Sequence, residues 1–330
     1  MKQYVYDVQK LKPGDILLER YDDRLSKFIM RASESNYSHA ILYAGNGSCL
    51  EATIEMVIAS NISRTLFDDP TKVCVLRLND DIVTPDIIDK AIEFARVVYG
   101  TEYTKKDARA VFTGVKNKDE NRQTCTRMVA QAFACAGVKL VEDPDFCSTR
   151  DIEMSPCLHK LENIVREATP EDIEFSKTPD VTLEMSSATY NMLCALREKT
   201  HTDIQSMEQV LDFVIKNPNH DEEISKIVSA SGYLDVWKYE KDINPWSYDI
   251  GLFYEKFKDY TFIAAQSHFK DYQDIWIRFQ KEYQKFKNMP PELKKLRFIS
   301  QQEDLYKQLL NNTCQKMMVV IQILQNEGME

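Results

Sequence analysis

Among the eight cysteines and five histidines of the chain, Cys125 and His39 have surroundings that allow nucleophilic chemistry. Cys125 stands where a helical pattern begins, directly after Thr124. At such a point the unpaired backbone N–H groups and the helix macrodipole favour an anion. A thiol there tends toward the thiolate, its reactive form, and the same N–H groups can meet a developing oxyanion. The position also suits a small buried hydrophobe on an apolar stripe, because free cysteines are among the most buried residues. His39 opens the apolar run His39–Ala44 and reads either as a general base or as a packed, hydrogen-bonded core histidine. A base needs a group that fixes its tautomer and steadies the imidazolium. Glu51 is placed for that role, since its run Cys49-Leu50-Glu51-Ala52 pairs with the His39 run and a glutamate in apolar company calls for a partner. Glu55 competes with it but lies beyond the strand signal. Cys74, Cys135, Cys147 and Cys157 have no base nearby, and His159, His201, His220 and His268 read as surface or core residues.

Several short elements must position these groups. Asp15–Leu18 reads as a strand after the turn at Pro13-Gly14, and Asp23–Ala32 as one or two helical turns. His39–Ala44 and Cys49–Ala52 read as a hairpin with a four-residue loop, Gly45-Asn46-Gly47-Ser48, and Val73–Leu78 as a further strand. Thr84-Pro85 supplies an N-cap and a first-turn proline for a helix with Ile88, Ala91, Ile92, Ala95 and Val98 on one face, closed by Gly100. A second helix runs from about Thr124, with Cys125, Met128, Val129, Ala132, Phe133 and Ala136 at spacings of three and four, and Gly137 ends it.

From about residue 170 the pattern changes. Ile204, Met207, Val210, Leu211, Val214 and Ile215 make a helical stripe, and further periodic stretches cover about 222–231, 248–258, 270–288 and 302–325. Asn244-Pro245-Trp246 and Met289-Pro290-Pro291 separate them, with no strand pattern and no tandem repeat. The expected fold class is α+β, an antiparallel sheet packed on helices over residues 1–170, followed by an all-α domain over residues 171–330. The aromatic series Trp237, Tyr239, Trp246, Tyr248, Phe253, Tyr254, Phe257, Tyr260 and Phe262 suits a helical core better than a binding groove.

Composition narrows the function classes. A net charge of -10 over 330 residues argues against a nucleic-acid binder held by a basic surface. The start lacks the apolar core of a signal peptide. Met317–Leu324, interrupted by Gln322, is too short to span a bilayer, which needs about 20 residues. The expectation is a cytoplasmic protein with reduced thiols. Without a CxxC pair or a Cys/His cluster at ligand spacing, neither a metal nor another cofactor is expected.

The segments Leu11-Lys12-Pro13-Gly14-Asp15-Ile16-Leu17-Leu18, Tyr37-Ser38-His39-Ala40-Ile41-Leu42-Tyr43-Ala44-Gly45, Leu50-Glu51-Ala52 and Thr124-Cys125-Thr126-Arg127-Met128-Val129, in that order, resemble a permuted papain-like cysteine hydrolase. More narrowly they resemble the YiiX/YebB-like branch of the NlpC-type superfamily. The resemblance covers roughly residues 8–160, including the tail Asp151-Ile152-Glu153-Met154-Ser155-Pro156. It implies Cys125 as nucleophile, His39 as general base and acid, and Glu51 as the residue that orients His39. It further implies aromatic residues at the cleft, here Tyr37 and Tyr103. The activity implied is amide hydrolysis through a thioester, on a small-molecule, peptide or lipid-linked amide. The asparagine-cysteine-glutamate-histidine context of lecithin retinol acyltransferase is absent, since the residues here are Gln123-Thr124-Cys125-Thr126. A lipid esterase or acyltransferase is therefore the second expectation. An inactive protein that binds a protein partner through its helical half is the third.

Overall fold

The computed structural model describes residues 2–108 and 121–327. The chain divides into two compact units, Met1–Ser186 with Thr202–Glu208, and Ser187–His201 with Gln209–Glu330.

The first unit is built on six antiparallel strands. They are β2 (Ile16–Glu19), β3 (His39–Gly45), β4 (Ser48–Ala52), β5 (Val57–Asn61), β6 (Val73–Leu78) and β7 (Leu158–Lys160), in the order β5-β4-β3-β2-β6-β7. A separate ribbon pairs β1 (Tyr4–Tyr6) with β8 (Val165–Glu167). Because successive side chains point to opposite faces, Ile16, Leu18, Ala40, Leu42, Leu50 and Leu76 fall on one side of the sheet. There they join a core with Ala91, Ile92 and Ala95 of α2 (Pro85–Val97) and with Met128, Val129, Ala132 and Phe133 of α3 (Cys125–Cys135). Leu17, Ile41, Tyr43, Cys49, Val73 and Val75 fall on the other side, covered by Tyr6, Leu11, Phe67 and Ile164.

Local chemistry explains where these elements start and stop. The Thr84 hydroxyl caps α2 by accepting from the Ile87 N–H, and the Thr124 hydroxyl caps α3 by accepting from the Arg127 N–H at 3.2 Å. The Asp15 carboxylate, 1% exposed, accepts the Lys12 N–H at 2.7 Å and holds Arg77 by two contacts of 2.7 Å. Gly14 takes φ +91°, and a β-carbon there would lie 2.3 Å from Cδ1 of Ile88 on α2. Gly14→Ala is therefore expected to destabilise the fold by more than the roughly 1–2 kcal/mol of a left-handed backbone alone. Urea unfolding checks this, and an unchanged midpoint refutes it.

The structure changes some of the expected details. The β3–β4 connection is not a four-residue loop. Pairing continues to Gly45↔Ser48, leaving Asn46 and Gly47 at φ 53° and 77°. Two left-handed residues make the primed turn that matches strand twist. β1, β5, β7 and β8 escaped the pattern reading because they are short or, like Val57-Ile58-Ala59-Ser60-Asn61, do not alternate cleanly.

Helix α1 (Arg24–Ser33) precedes β3, and α4 (Thr149–Glu153) and α5 (Pro170–Lys177) follow α3. Beyond them the described chain carries only helices: α6 (Val181–Thr200), α7 (Met207–Lys216), α8 (Asp221–Ala230), α9 (Val236–Ile243), α10 (Ile250–Lys256), α11 (Thr261–Lys287) and α12 (Arg297–Glu327), with short 3-10 turns. In the second unit α11 and α12 pack along each other. Four of the aromatic series, Trp246, Phe253, Tyr254 and Phe257, join that unit's core, where Phe253 and Phe257 are buried against Trp246 and His268. Tyr260 and Phe262 stay at the surface. No helix among the described residues is long and apolar enough to cross a membrane.

Candidate active site

Three side chains meet at the end of the sheet where β3 begins. Glu51 on β4 lies directly opposite Ile41 on β3, so His39, two residues before Ile41, is its diagonal neighbour on the same face. The His39 Nε2 lies 2.7 Å from Oε2 of Glu51. That contact leaves Nδ1 as the ring nitrogen for the sulfur, and the imidazole is hydrogen-bonded to the Cys125 thiol. Cys125, the first residue of α3, is 8% exposed and approaches the strand end from the opposite face of the sheet, where it packs in the core with Ala40 and Leu42.

The electrostatics favour a charged pair. Burial works against the Cys125 thiolate, but the His39 hydrogen bond and charge, with the Ala40 and Thr126 N–H groups, outweigh it and lower the thiol pKa. Burial likewise opposes the His39 imidazolium, yet the hydrogen bonds to Cys125 and Glu51 and their charges hold its pKa well above the ordinary value. Glu51 is kept ionised below the usual range: burial pushes its carboxyl up, and His39, helped by the Ser60 hydroxyl, brings it down further. The arrangement can therefore hold a thiolate beside an imidazolium, the form that attacks a carbonyl and then supplies a proton.

A cavity of about 30 Å³ opens beside the sulfur, lined by Ile29, Ser38, Tyr103, Thr124, Thr126 and Thr149 among others. Burial keeps the Tyr103 phenol protonated, with the nearby Cys125 charge acting in the same direction. Tyr37 is placed elsewhere. It is 5% exposed, packs in the core, and its hydroxyl is hydrogen-bonded to Cys74 rather than lining the cavity. Ser38, the residue before His39, lines the cavity instead. Glu55 forms no part of the Cys125–His39–Glu51 chain; its carbonyl accepts the Tyr103 N–H at 3.1 Å.

Two further residues at the site, Glu19 and Tyr21, were not among the sequence candidates. Glu19 ends β2 and pairs across the ladder with His39, and Tyr21 packs its ring against the imidazole at 5.9 Å. A glutamate closing the apolar run Ile16-Leu17-Leu18 is the same kind of signal that singled out Glu51. Among the described residues, no group of three or more His, Cys, Asp or Glu side chains is arranged to hold a metal ion.

A sheet that presents the histidine and glutamate ahead of a helix that begins with the cysteine is the architecture of a permuted papain-like cysteine hydrolase. Residues 10–147 match the model of the permuted papain-like amidase enzymes, the YaeF/YiiX or C92 family. It is a family of cysteine-dependent amidases or peptidases. One similar solved structure is the crystal structure of the metalloprotein yiiX from Escherichia coli O157:H7. It is 16% identical, with a TM-score of 0.31, over 48% of this chain and 98% of that one. No curated protein matches the chain.

Proposed function

We propose that this chain hydrolyses an amide through a Cys125–His39–Glu51 triad, with residues 1–170 as the hydrolase domain and residues 171–330 as a helical domain. The observation that carries the reading is the continuous hydrogen-bonded chain from Glu51 through His39 to a thiol at a helix N-terminus. The Cys125 thiolate attacks the amide carbonyl, and the Cys125 backbone N–H meets the oxyanion. The His39 imidazolium gives its proton to the leaving amine, leaving a thioester on Cys125. His39 then takes a proton from water as the water attacks the thioester, and the acid is released with the thiolate restored. Glu51 holds the ring in the tautomer and orientation that both steps need. Tyr103 contributes a neutral wall to the substrate pocket.

Glu51→Gln separates the orienting role from the bond-making ones. It preserves size but removes the charge that stabilises the imidazolium, so kcat is expected to fall, by roughly two orders of magnitude less than when the nucleophile is removed. The check is turnover of a panel of peptide p-nitroanilides and N-acyl amines by the native protein and the variant. A Glu51→Gln protein as inactive as Cys125→Ala, or fully active, counts against this division of roles.

A further inference from the structure

The proposed hydrolytic steps leave one buried carboxylate of the site unused. Glu19 is 1% exposed and stands directly opposite His39 on the neighbouring strand, sharing its face of the sheet. Each of its oxygens has its own donor: the Tyr6 hydroxyl donates to Oε1 at 2.9 Å, and the Tyr21 hydroxyl donates to Oε2 at 2.5 Å. A buried carboxylate is tolerated when such donors satisfy it, and hydrogen bonds to an ionised acceptor are the strong ones. The second bond fixes Tyr21, whose ring lies 5.9 Å from the His39 ring at 46° while the residue remains 41% exposed. Tyr21 therefore covers the imidazole on its solvent side, and its hydroxyl is occupied by Glu19 rather than offered to a substrate.

We propose that Glu19 is a positioning residue for His39: accepting from the Tyr6 and Tyr21 hydroxyls, it pins Tyr21 against the imidazole and stabilises the protonated ring alongside Glu51. This role rests on the assignment of His39 and Cys125 made above. The groups around Glu19 and His39 support it. Tyr6 comes from β1, Glu19 and Tyr21 from the end of β2 and beyond, Cys49 and Glu51 from β4, and Cys125 from α3. Tyr6, Tyr21 and Cys49 are held neutral by burial first of all. The charges facing the ring are then the two carboxylates and the thiolate. Burial holds the Glu19 carboxyl above the usual carboxylate range, although the Tyr21 hydroxyl and the His39 charge pull it back toward the ionised form. By reciprocity, removing that charge makes the imidazolium easier to deprotonate.

The test is the titration of the His39 imidazole by NMR of the ring Cε1–Hε1 groups in the full chain, the signal being assigned by its loss in His39→Ala. Glu19→Gln removes the charge, and Tyr21→Phe keeps the ring but removes one donor to Glu19. Both are expected to lower the His39 pKa, Glu19→Gln by about one unit, a tenfold loss of proton affinity. An unshifted His39 titration in both variants overturns the proposal. Should Glu19→Gln not fold, Tyr21→Phe decides alone, because its side chain is partly at the surface: a shift supports the role and none overturns it. Iodoacetamide labelling of native Cys125, followed by peptide mass spectrometry, reads the underlying assignment separately. Rapid labelling with unshifted variants overturns the role of Glu19 only, whereas ordinary labelling of the native thiol overturns the triad and this role together.

Discussion

Replacing Cys125 with alanine is expected to reduce amide hydrolysis by at least ~10⁴-fold, and His39→Ala by a comparable factor, because nucleophile and base act as one unit. The sign of the pH dependence follows from the site. The Cys125 pKa is lowered and the His39 pKa is raised, so the thiolate–imidazolium pair exists between the two. Labelling of Cys125 by iodoacetamide should therefore persist below the ordinary thiol range near ~8.5 and disappear as the pH falls through the lowered Cys125 value. Turnover should be lost on the alkaline side as His39 gives up its proton. In His39→Ala, burial of the sulfur is no longer offset by the imidazolium, and labelling near pH 6 should fall to the level of the buried thiols Cys49 and Cys147. Both of these are pushed up by burial, Cys147 to about 12. The measurement is the labelling rate of each cysteine against pH, read by peptide mass spectrometry. A Cys125→Ser protein with native activity would sink the assignment.

Asp107→Ala is expected to produce a large loss of stability, about 3–5 kcal/mol, by stripping the carboxylate from a buried ion pair. Asp107 and Arg127 are each 1% exposed, and Nη2 of Arg127 lies 2.9 Å from Oδ2 of Asp107. Arg127 follows Cys125 by two residues on α3 and also donates from Nε to the Asp145 carbonyl at 2.9 Å and from Nη1 to the Arg122 carbonyl at 3.2 Å. The guanidinium thus ties the start of the cysteine helix to the chain on either side of it. A loss of this size is a substantial part of the roughly 5–15 kcal/mol that stabilises a typical domain. Urea unfolding followed by circular dichroism measures it. The paired change Asp107→Leu with Arg127→Met should recover much of the loss, since an apolar pair of similar volume needs no counter-charge. A loss under ~1 kcal/mol for Asp107→Ala contradicts the account.

How far these groups could be read without coordinates depends on how local their determinants are. Thr84-Pro85 and Thr124 mark the starts of α2 and α3 because a helix cap is made by atoms three residues apart. The apolar stripe of α3 likewise follows from the period of the helix. Glu51 was legible for a related reason: a charge inside a short apolar run needs a partner, and the adjoining strand carried His39. The Asn46-Gly47 turn shows the limit of that reasoning. The residue types suit a turn, but pairing across the hairpin, not the turn residues themselves, sets the loop at two residues rather than four.

The order histidine, glutamate, cysteine and the element on which each stands follow from local patterns alone, since strand alternation, helix period and capping act over a few residues. Which of those groups meet, and what surrounds them, depends on contacts between distant parts of the chain. Strand register puts Glu19 opposite His39 although they are far apart in the chain, and brings the Tyr6 and Tyr21 hydroxyls to its two oxygens. Packing sends Tyr37 into the core and Tyr103 to the cavity, a distinction their residue type could not make. The poise of Cys125 is decided at the same level. Position at a helix start favours the thiolate, and burial opposes it. Their balance turns on an imidazole delivered from the opposite face of the sheet at the end of β3, a contact that exists only once the chain has folded.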